Sequence, residues 1–556
     1  MLDVICLNDV IIEMASDSEE SGSDVDEQIL TSDDDFDSDE DAQYVVDPDL
    51  PGGRGPWIQM LDVDSYIREI RNFTPDGPHG PIAHDSSPIT LFEKQVSYRD
   101  SNIFDLLTRE TNRYAQQYFR AHPIETLPTY SRSRSWREVT ESEMKKFIGL
   151  LLLMGIDRKP SIESYWSTNS IFRSPAFPEA MSRNRFQNIL RFLHAANNED
   201  APGIDDADYD PAGKIKPIVD LCNEAFSSNY RLARDITVDE RMVGFKGRHH
   251  MVQYMANKKA HRWGIKLWTL SEADTGYTHR VVIYKGRQRQ NVLNYPHGLG
   301  YHTVTQLVQP HFGKYHHVTF DSFFTSPRLC HDLLDNNTYS TGTVCVRRRG
   351  MPRSFRNLSL PRGQSKVMSQ GDLVAVHWSD RRPVNFLTTF SLPRLENSTN
   401  ARGQDVRTPA VVQIYNRTMG GVDLGDQMIS EYIPDIRSVK MWKKVLFNLL
   451  TTATVNAYIC YRRLRNIQKK MNRMDFSLEI CRELINADNE ERRVGRPPIN
   501  PPERLLGRHF IEKIAGGARM FCRVCGSRVR TCCHRCRLGL CVNDFRRYHT
   551  VIQLEQ

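Results

Sequence analysis

No uninterrupted apolar run in the chain reaches the roughly 18 to 20 residues that a bilayer-crossing helix needs. The longest, Phe147 to Ile156, follows Thr140-x-x-Glu143, a capping-box pattern, and so predicts a buried helix with no membrane association. The first 13 residues place no basic stretch before their apolar ones, so no secretory signal is expected. Met14, which opens Met-Ala-Ser-Asp-Ser-Glu-Glu, reads as a natural start. Lysine and arginine are missing from residues 1–50, where 18 acidic residues stand. A disulfide framework is missing too: Cys6, Cys222, Cys330, Cys345, Cys460 and Cys481 are scattered singly, which suits a reducing compartment.

The acidic head hides a strongly basic body. All 74 Lys and Arg lie in residues 51–556 against 50 of the 68 acidic residues, so the net +6 divides into −18 and +24. A body of that charge calls for a polyanion, nucleic acid first, and predicts a nuclear protein. Residues 1–55 are expected to be a disordered acidic tail, with Ser16, Ser18, Ser21, Ser32 and Ser38 set among carboxylates.

A chain of 556 residues predicts several folding units. Residues 56–230 read as a helical region. Within it Ser182 caps a helix with Phe186, Ile189, Leu190 and Leu193 at helical spacing, residues 199–213 form a linker, and Lys214 to Tyr230 resume a helix. The period then changes. Ile236 to Glu240, Trp263 to Leu270 and Arg280 to Tyr284 read as strands, the last two joined by the break at Asp274-Thr-Gly-Tyr277. His317 to Asp321 is a further strand, Pro327 to Leu334 a helix, and Tyr339 to Arg347 a strand. These fall in 231–349, the first part of a catalytic domain. Residues 350–410 read as a β-rich insertion with strands at Leu373 to Trp378 and Asn385 to Phe390. Residues 411–490 complete the domain, with a helix from Gly420 through Met428 and an amphipathic one from about Val439 to Met471. A basic linker, 491–519, leads to a cysteine-rich module at 520–550.

Strands that each deliver an acid at the end form the pattern of an RNase H-like mixed sheet. Asp239 ends Ile-Thr-Val, Asp321 ends Val-Thr-Phe, and Asp423 and Asp426 stand three apart on a helix, so that both face one side. Carboxylates suit phosphodiester cleavage because Mg²⁺ or Mn²⁺ prefers oxygen ligands, and two such ions about 4 Å apart activate the attacking oxygen and stabilise the leaving one. Glu240 alternates to the other strand face and is left out of this set. At the C-terminal end, Cys522-x2-Cys525, Cys533-x2-Cys536, Cys541 and His549 have the spacing of a Zn²⁺ module whose folding energy is metal binding. Cys532 and His534 are substitute ligands. Basic runs at Arg347-Arg348-Arg349, Tyr461 to Arg473 and Arg492 to Arg508 are candidate DNA-backbone contacts, and Gly495-Arg496-Pro497 resembles part of a minor-groove hook.

Thr-Val-Asp-Glu (237–240) with Phe-Lys-Gly-Arg (245–248), Trp-Gly-Ile-Lys (263–266), Phe-Asp-Ser-Phe-Phe-Thr-Ser (320–326) and Met-Gly-Gly-Val-Asp-Leu-Gly-Asp-Gln-Met (419–428) resemble, in order and separation, the piggyBac transposase family over roughly residues 90–550. The resemblance implies an RNase H-like catalytic domain, a helical N-terminal region for DNA binding and dimerisation, and a cysteine-rich domain that binds the transposon end. It implies that Asp239, Asp321 and Asp423 are the metal-binding catalytic triad and Asp426 an accessory aspartate. It also implies a homodimer that cuts double-stranded DNA through hairpinned ends and joins 3′-hydroxyls at TTAA. The family carries one more cysteine between the positions of Cys541 and His549. Here Asp544 stands near that place, so the expectation is either a second zinc site from Cys541 and His549, with Asp544 as a further candidate ligand, or a degraded site. Two other classes share these features. One is a non-catalytic DNA-binding or chromatin protein derived from such an enzyme, and the other is an RNA nuclease, which the zinc module disfavours.

Overall fold

The structure, a computed structural model, describes residues 54–63, 66, 68–82, 85–203, 206, 208–256, 262–286, 295–399, 405–464, 470–487 and 509–550. The acidic head and the basic run Arg492 to Arg508 lie outside the described residues, as does Gly495-Arg496-Pro497. Two compact units divide the chain, residues 1–487 and 488–556. No helix among the described residues is long and apolar enough to cross a membrane.

The first unit opens on five main helices: α1 (Pro88–Gln95), α2 (Ile103–Ala121), α3 (Glu141–Ile156), α4 (Arg183–Phe192) and α5 (Lys216–Asn229). The capping box that opens α3 forms by half. Thr140 Oγ1 accepts the Glu143 N–H at 3.2 Å, but the Glu143 carboxylate does not reach back along the helix. It takes Arg185 of α4 in a two-pronged ion pair at 2.6 and 2.8 Å, with Arg137 also on it at 2.8 Å. Arg185 is therefore buried and ties α4 to α3. Ahead of α1, the described residues among 54–82 form no helix, unlike the helical region expected from residue 56 on, and Ile58–Gln59 adds a strand to the main sheet.

That sheet has ten strands. Its centre is β1 (Asp235–Gly244), β2 (Trp263–Glu272), β3 (Thr278–Ile283), β4 (His317–Phe320) and β5 (Tyr339–Thr343), laterally ordered β3-β2-β1-β4-β5. β4 is parallel to both β1 and β5, while β2 and β3 form an antiparallel meander. This is a mixed sheet of the RNase H-like kind expected from the sequence. The parallel crossovers use helices α6 (Leu299–Val308) and α7 (Pro327–Asp335). Segment 350–410 extends the same sheet: β6 (Ser365–Gln370), β7 (Leu373–Ser379) and β8 (Pro383–Thr388) continue it through β8 against β5, with Thr341 opposite Thr388. β6 was not foreseen, since its Lys366, Ser369 and Gln370 break an apolar pattern.

Helices α8 (Ala410–Thr418), α9 (Gly421–Glu431), α10 (Met441–Arg463) and α11 (Arg473–Ile485) follow. α10 is shorter than the Val439–Met471 span and is buried on nearly every side, not on one face. Its polar residues are absorbed by backbone. Asn456 accepts the Thr278 N–H at 3.0 Å and donates to the Thr278 carbonyl at 2.8 Å, closing the start of β3.

Three histidines share one interior site. The His279 and His311 rings lie 4.8 Å apart, and His316 lies 5.4 Å from His311. Burial lowers them to about 3, about 2 and about 4 respectively. Below the free imidazole value near 6.5 the unfolded chain takes up protons that the folded one refuses, so stability is lost as pH falls. One unit below that value each contributes a loss of about 1.4 kcal/mol. Thermal melting is expected to drop steeply between pH 6.5 and 5, and His311→Gln to remove about a third of that drop.

Candidate active site and metal-binding module

Where β1 runs beside β4, Val238 is opposite Phe320. β4 ends there, and Asp321 follows as the chain turns, its Oδ1 accepting the Phe323 N–H at 3.0 Å. β1 continues, so from Asp239 onward its β4 side has no neighbour strand. Asp239, Glu240 and Asp321 converge in that notch, with a carboxylate oxygen from each within 4.8 Å of the others. Glu240 thus joins the group that strand alternation had excluded it from. The missing neighbour strand lets its longer side chain swing toward Asp321, and its N–H donates to Asp239 Oδ1 at 2.8 Å.

The chain between Thr418 and Asp426 lies over β1. Thr237 Oγ1 donates to the Thr418 carbonyl at 2.6 Å, and Thr319 and Thr418 hydroxyls meet at 2.7 Å. Gly421 and Gly425 allow the approach: a Cβ would stand 2.7 Å from the Glu272 carbonyl at the first and 2.8 Å from the Gly276 carbonyl at the second. Asp423 falls between these two contacts, in the first turn of α9, at an exposed position and outside the three-carboxylate group. Asp426 pairs with the buried Arg241. Of the expected four acids, the structure therefore gathers Asp239 and Asp321, sets Asp423 on the helix above β1, and engages Asp426 elsewhere.

Electrostatics fit a cation. Burial, and Glu240 beside it, push Asp321 up to about 6. Hard oxygen donors crowded this closely suit Mg²⁺ or Mn²⁺. Two residues outside the expected acid set face the same notch. Tyr415 of α8 is pushed up to about 12 by burial and by the Asp321 and Asp239 carboxylates. Arg348, from the triple-arginine run, donates to the Ser322 and Phe323 carbonyls at 2.6 and 3.2 Å, bracing the turn after Asp321. Tyr415 carries no periodicity or spacing signal, and Arg348 stood in a basic run read as a candidate DNA contact.

In the second unit, two four-residue groups have metal-ligand geometry: Cys522, Cys525, Cys541 and Asp544, and His509, Cys533, Cys536 and His549. Asp544 Oδ2 is 2.9 Å from Cys541 Sγ and 3.4 Å from Cys522 Sγ. His509 Nδ1 is 3.4 Å from both Cys533 and Cys536, and His549 Nε2 is 3.6 Å from Cys536. The other His549 nitrogen meets the Phe545 carbonyl at 2.8 Å, which turns Nε2 to its ligand role. The expected union of Cys541 with His549 is corrected: they belong to different groups, and Asp544 goes with Cys541. His509 was assigned to the linker. It reaches the second knuckle because Ile511–Lys513 pairs antiparallel with Thr531–Cys533. Cys532 points away to Glu512 at 3.8 Å, and His534 is exposed, so neither is a ligand. Both sets, Cys₃Asp and Cys₂His₂, suit tetrahedral Zn²⁺.

Sheet order and carboxylate notch define the class, an RNase H-like α/β protein. A family model described as Transposase IS4 matches residues 87–458, and the chain belongs to that transposase family. Within it the likeness is to piggyBac proteins. The chain is 26% identical over 433 residues to the human PiggyBac transposable element-derived protein 3, covering 74% of this chain and 70% of that one. It matches the human Chimeric ERCC6-PGBD3 protein equally but spans 39% of its length. A cryo-EM structure of the piggyBac transposase synaptic complex with hairpin DNA shares the fold, with TM-score 0.64 at 22% identity, covering 84% of this chain and all of that one.

Two measurements check this geometry. In cation-free protein, the Asp321 carboxyl followed by NMR should titrate near 6, and Glu240→Gln should move it down toward the ordinary carboxylate range. Zinc per chain, measured by mass spectrometry, should fall in His509→Ala and stay unchanged in Cys532→Ala and His534→Ala.

Proposed function

We propose that this chain is a metal-dependent DNA transposase of the piggyBac type. On this reading it cleaves DNA strands at element ends and transfers 3′-hydroxyls to TTAA sites, as a homodimer in the nucleus. The observation that carries the reading is the notch itself: buried Asp239 and half-buried Asp321, each just past the last paired residue of two neighbouring parallel strands, with Glu240 in the same cluster and the Asp423 helix above.

Asp239, Asp321 and Asp423 are the residues that would hold the ions, with Glu240 a further oxygen donor. Bound divalent ions would supply activation of the attacking oxygen and stabilisation of the leaving one. The protein's part is orientation. The Glu240 and Phe323 amides each fix one carboxylate oxygen, of Asp239 and of Asp321. Asp321 must give up its proton to act as a ligand, so the site's affinity for a divalent ion falls as pH drops through about 6. Tyr415 keeps its hydroxyl proton and can donate it toward a phosphate oxygen. The body's excess of basic residues and the zinc module supply affinity for DNA; the solved relative is a complex with hairpin DNA.

A second reading, a non-catalytic DNA-binding descendant, is favoured by one observation: Asp423 lies outside the carboxylate group. Purified full-length protein with Mg²⁺ and a TTAA-flanked element separates the two. The transposase reading expects cleavage that Asp321→Asn lowers at least a thousandfold with DNA affinity unchanged. Tight binding without product overturns it in favour of the second.

A further inference from the structure

We propose that Asp426 in this chain is not an ion ligand but the counter-ion of a buried positioning residue, Arg241, and that the pair sets the Asp423 helix against the Asp239 strand. The inference rests on the reading that Asp239, Asp321 and Asp423 hold the catalytic ions.

Arg241 is 1% exposed, two residues beyond Asp239 on the same face of β1. Its Nε donates to Asp426 Oδ1. Nη2 donates to Thr278 Oγ1 at 2.9 Å and Nη1 to Thr452 Oγ1 at 3.3 Å. One guanidinium thereby joins β1, β3, α9 and α10. Arginine does not lose its proton, so a buried one needs an anion, and the carboxylate it meets is Asp426. A carboxylate so committed is a poor ligand, because a divalent ion on it would sit against the guanidinium.

The geometry explains what the pair does. Asp426 lies one helical step, three residues, past Asp423, and Arg241 lies one strand step past Asp239. The ion pair therefore stands one step along from the place where the two acids must meet. Gly425 rests on the guanidinium, where a Cβ would lie 3.4 Å from Nη2. At the far end of α9, Arg158 donates to the Ser430 and Glu431 carbonyls at 3.1 and 2.9 Å. The helix is thus fixed at both ends, and its position along β1 is set by Arg241.

The test uses the zinc-loaded full chain, with Mn²⁺ affinity by calorimetry and the Mn²⁺ dependence of cleavage as readouts. Arg241→Gln and Asp426→Asn alone should each weaken Mn²⁺ at least tenfold. The pair Arg241→Gln with Asp426→Asn, or the apolar pair Arg241→Met with Asp426→Leu, should return to within about threefold of the unaltered protein, because the buried charge and its need for a partner vanish together. Asp423→Asn should stay defective in every background. Double variants as weak in Mn²⁺ as Asp426→Asn, or as poorly folded as the single ones, overturn the inference. An unaltered chain that binds no Mn²⁺ and cuts no DNA would instead overturn the function on which it rests.

Discussion

Four residues of parallel pairing decide where chemistry can occur in this molecule. β4 runs beside β1 only from His317 to Phe320, while β1 continues to Gly244. The step between a strand that stops and one that goes on is the only reason three carboxylates can share a space without a backbone between them. It also places them badly by their own electrostatics. Burial and mutual repulsion drive Asp321 toward its neutral form, and the sheet tolerates this because the surrounding core fixes the strands independently of the acids. A site held in that tension is poised for positive charge, which relieves repulsion and burial penalty at once.

The two units solve the problem of stability differently. The first buries a continuous apolar core that runs from the N-terminal helices through the sheet to α10 and α11. Among its described residues, the second has a small core of Cys522, Cys533, Leu540 and Tyr548 with a few half-buried apolar residues against it. A module of that size lacks the apolar area to offset chain entropy and depends on its metal ligands for the difference.

Much of this was legible in residue order. The change from helical to alternating period near residue 235, the acids closing Ile-Thr-Val and Val-Thr-Phe, and the paired Cys-x2-Cys knuckles each report a local rule, and local rules survive folding. The misreadings are all non-local. Glu240 follows strand alternation until a neighbouring strand ends, which depends on residues eighty positions away. His509 has no spacing relative to the knuckles and is recruited by a strand pairing. Arg185 and Arg241 show no sign in the sequence of being buried, because their partners, Glu143 and Asp426, lie on other elements. The polar face of α10 is polar for Thr278 and Arg241, not for water.

The alternation of ligands in the second unit has a consequence for how the protein is made. Counting along the chain, one group begins at His509, the other occupies Cys522 and Cys525, the first resumes at Cys533 and Cys536, the second closes at Cys541 and Asp544, and the first closes at His549. A polypeptide leaving the ribosome cannot finish either site until all but a few of these residues have emerged, and then both become complete within five positions. Metal capture is thereby deferred until Asp544 and His549 have emerged, so that a chain stalled before them is left with open thiols.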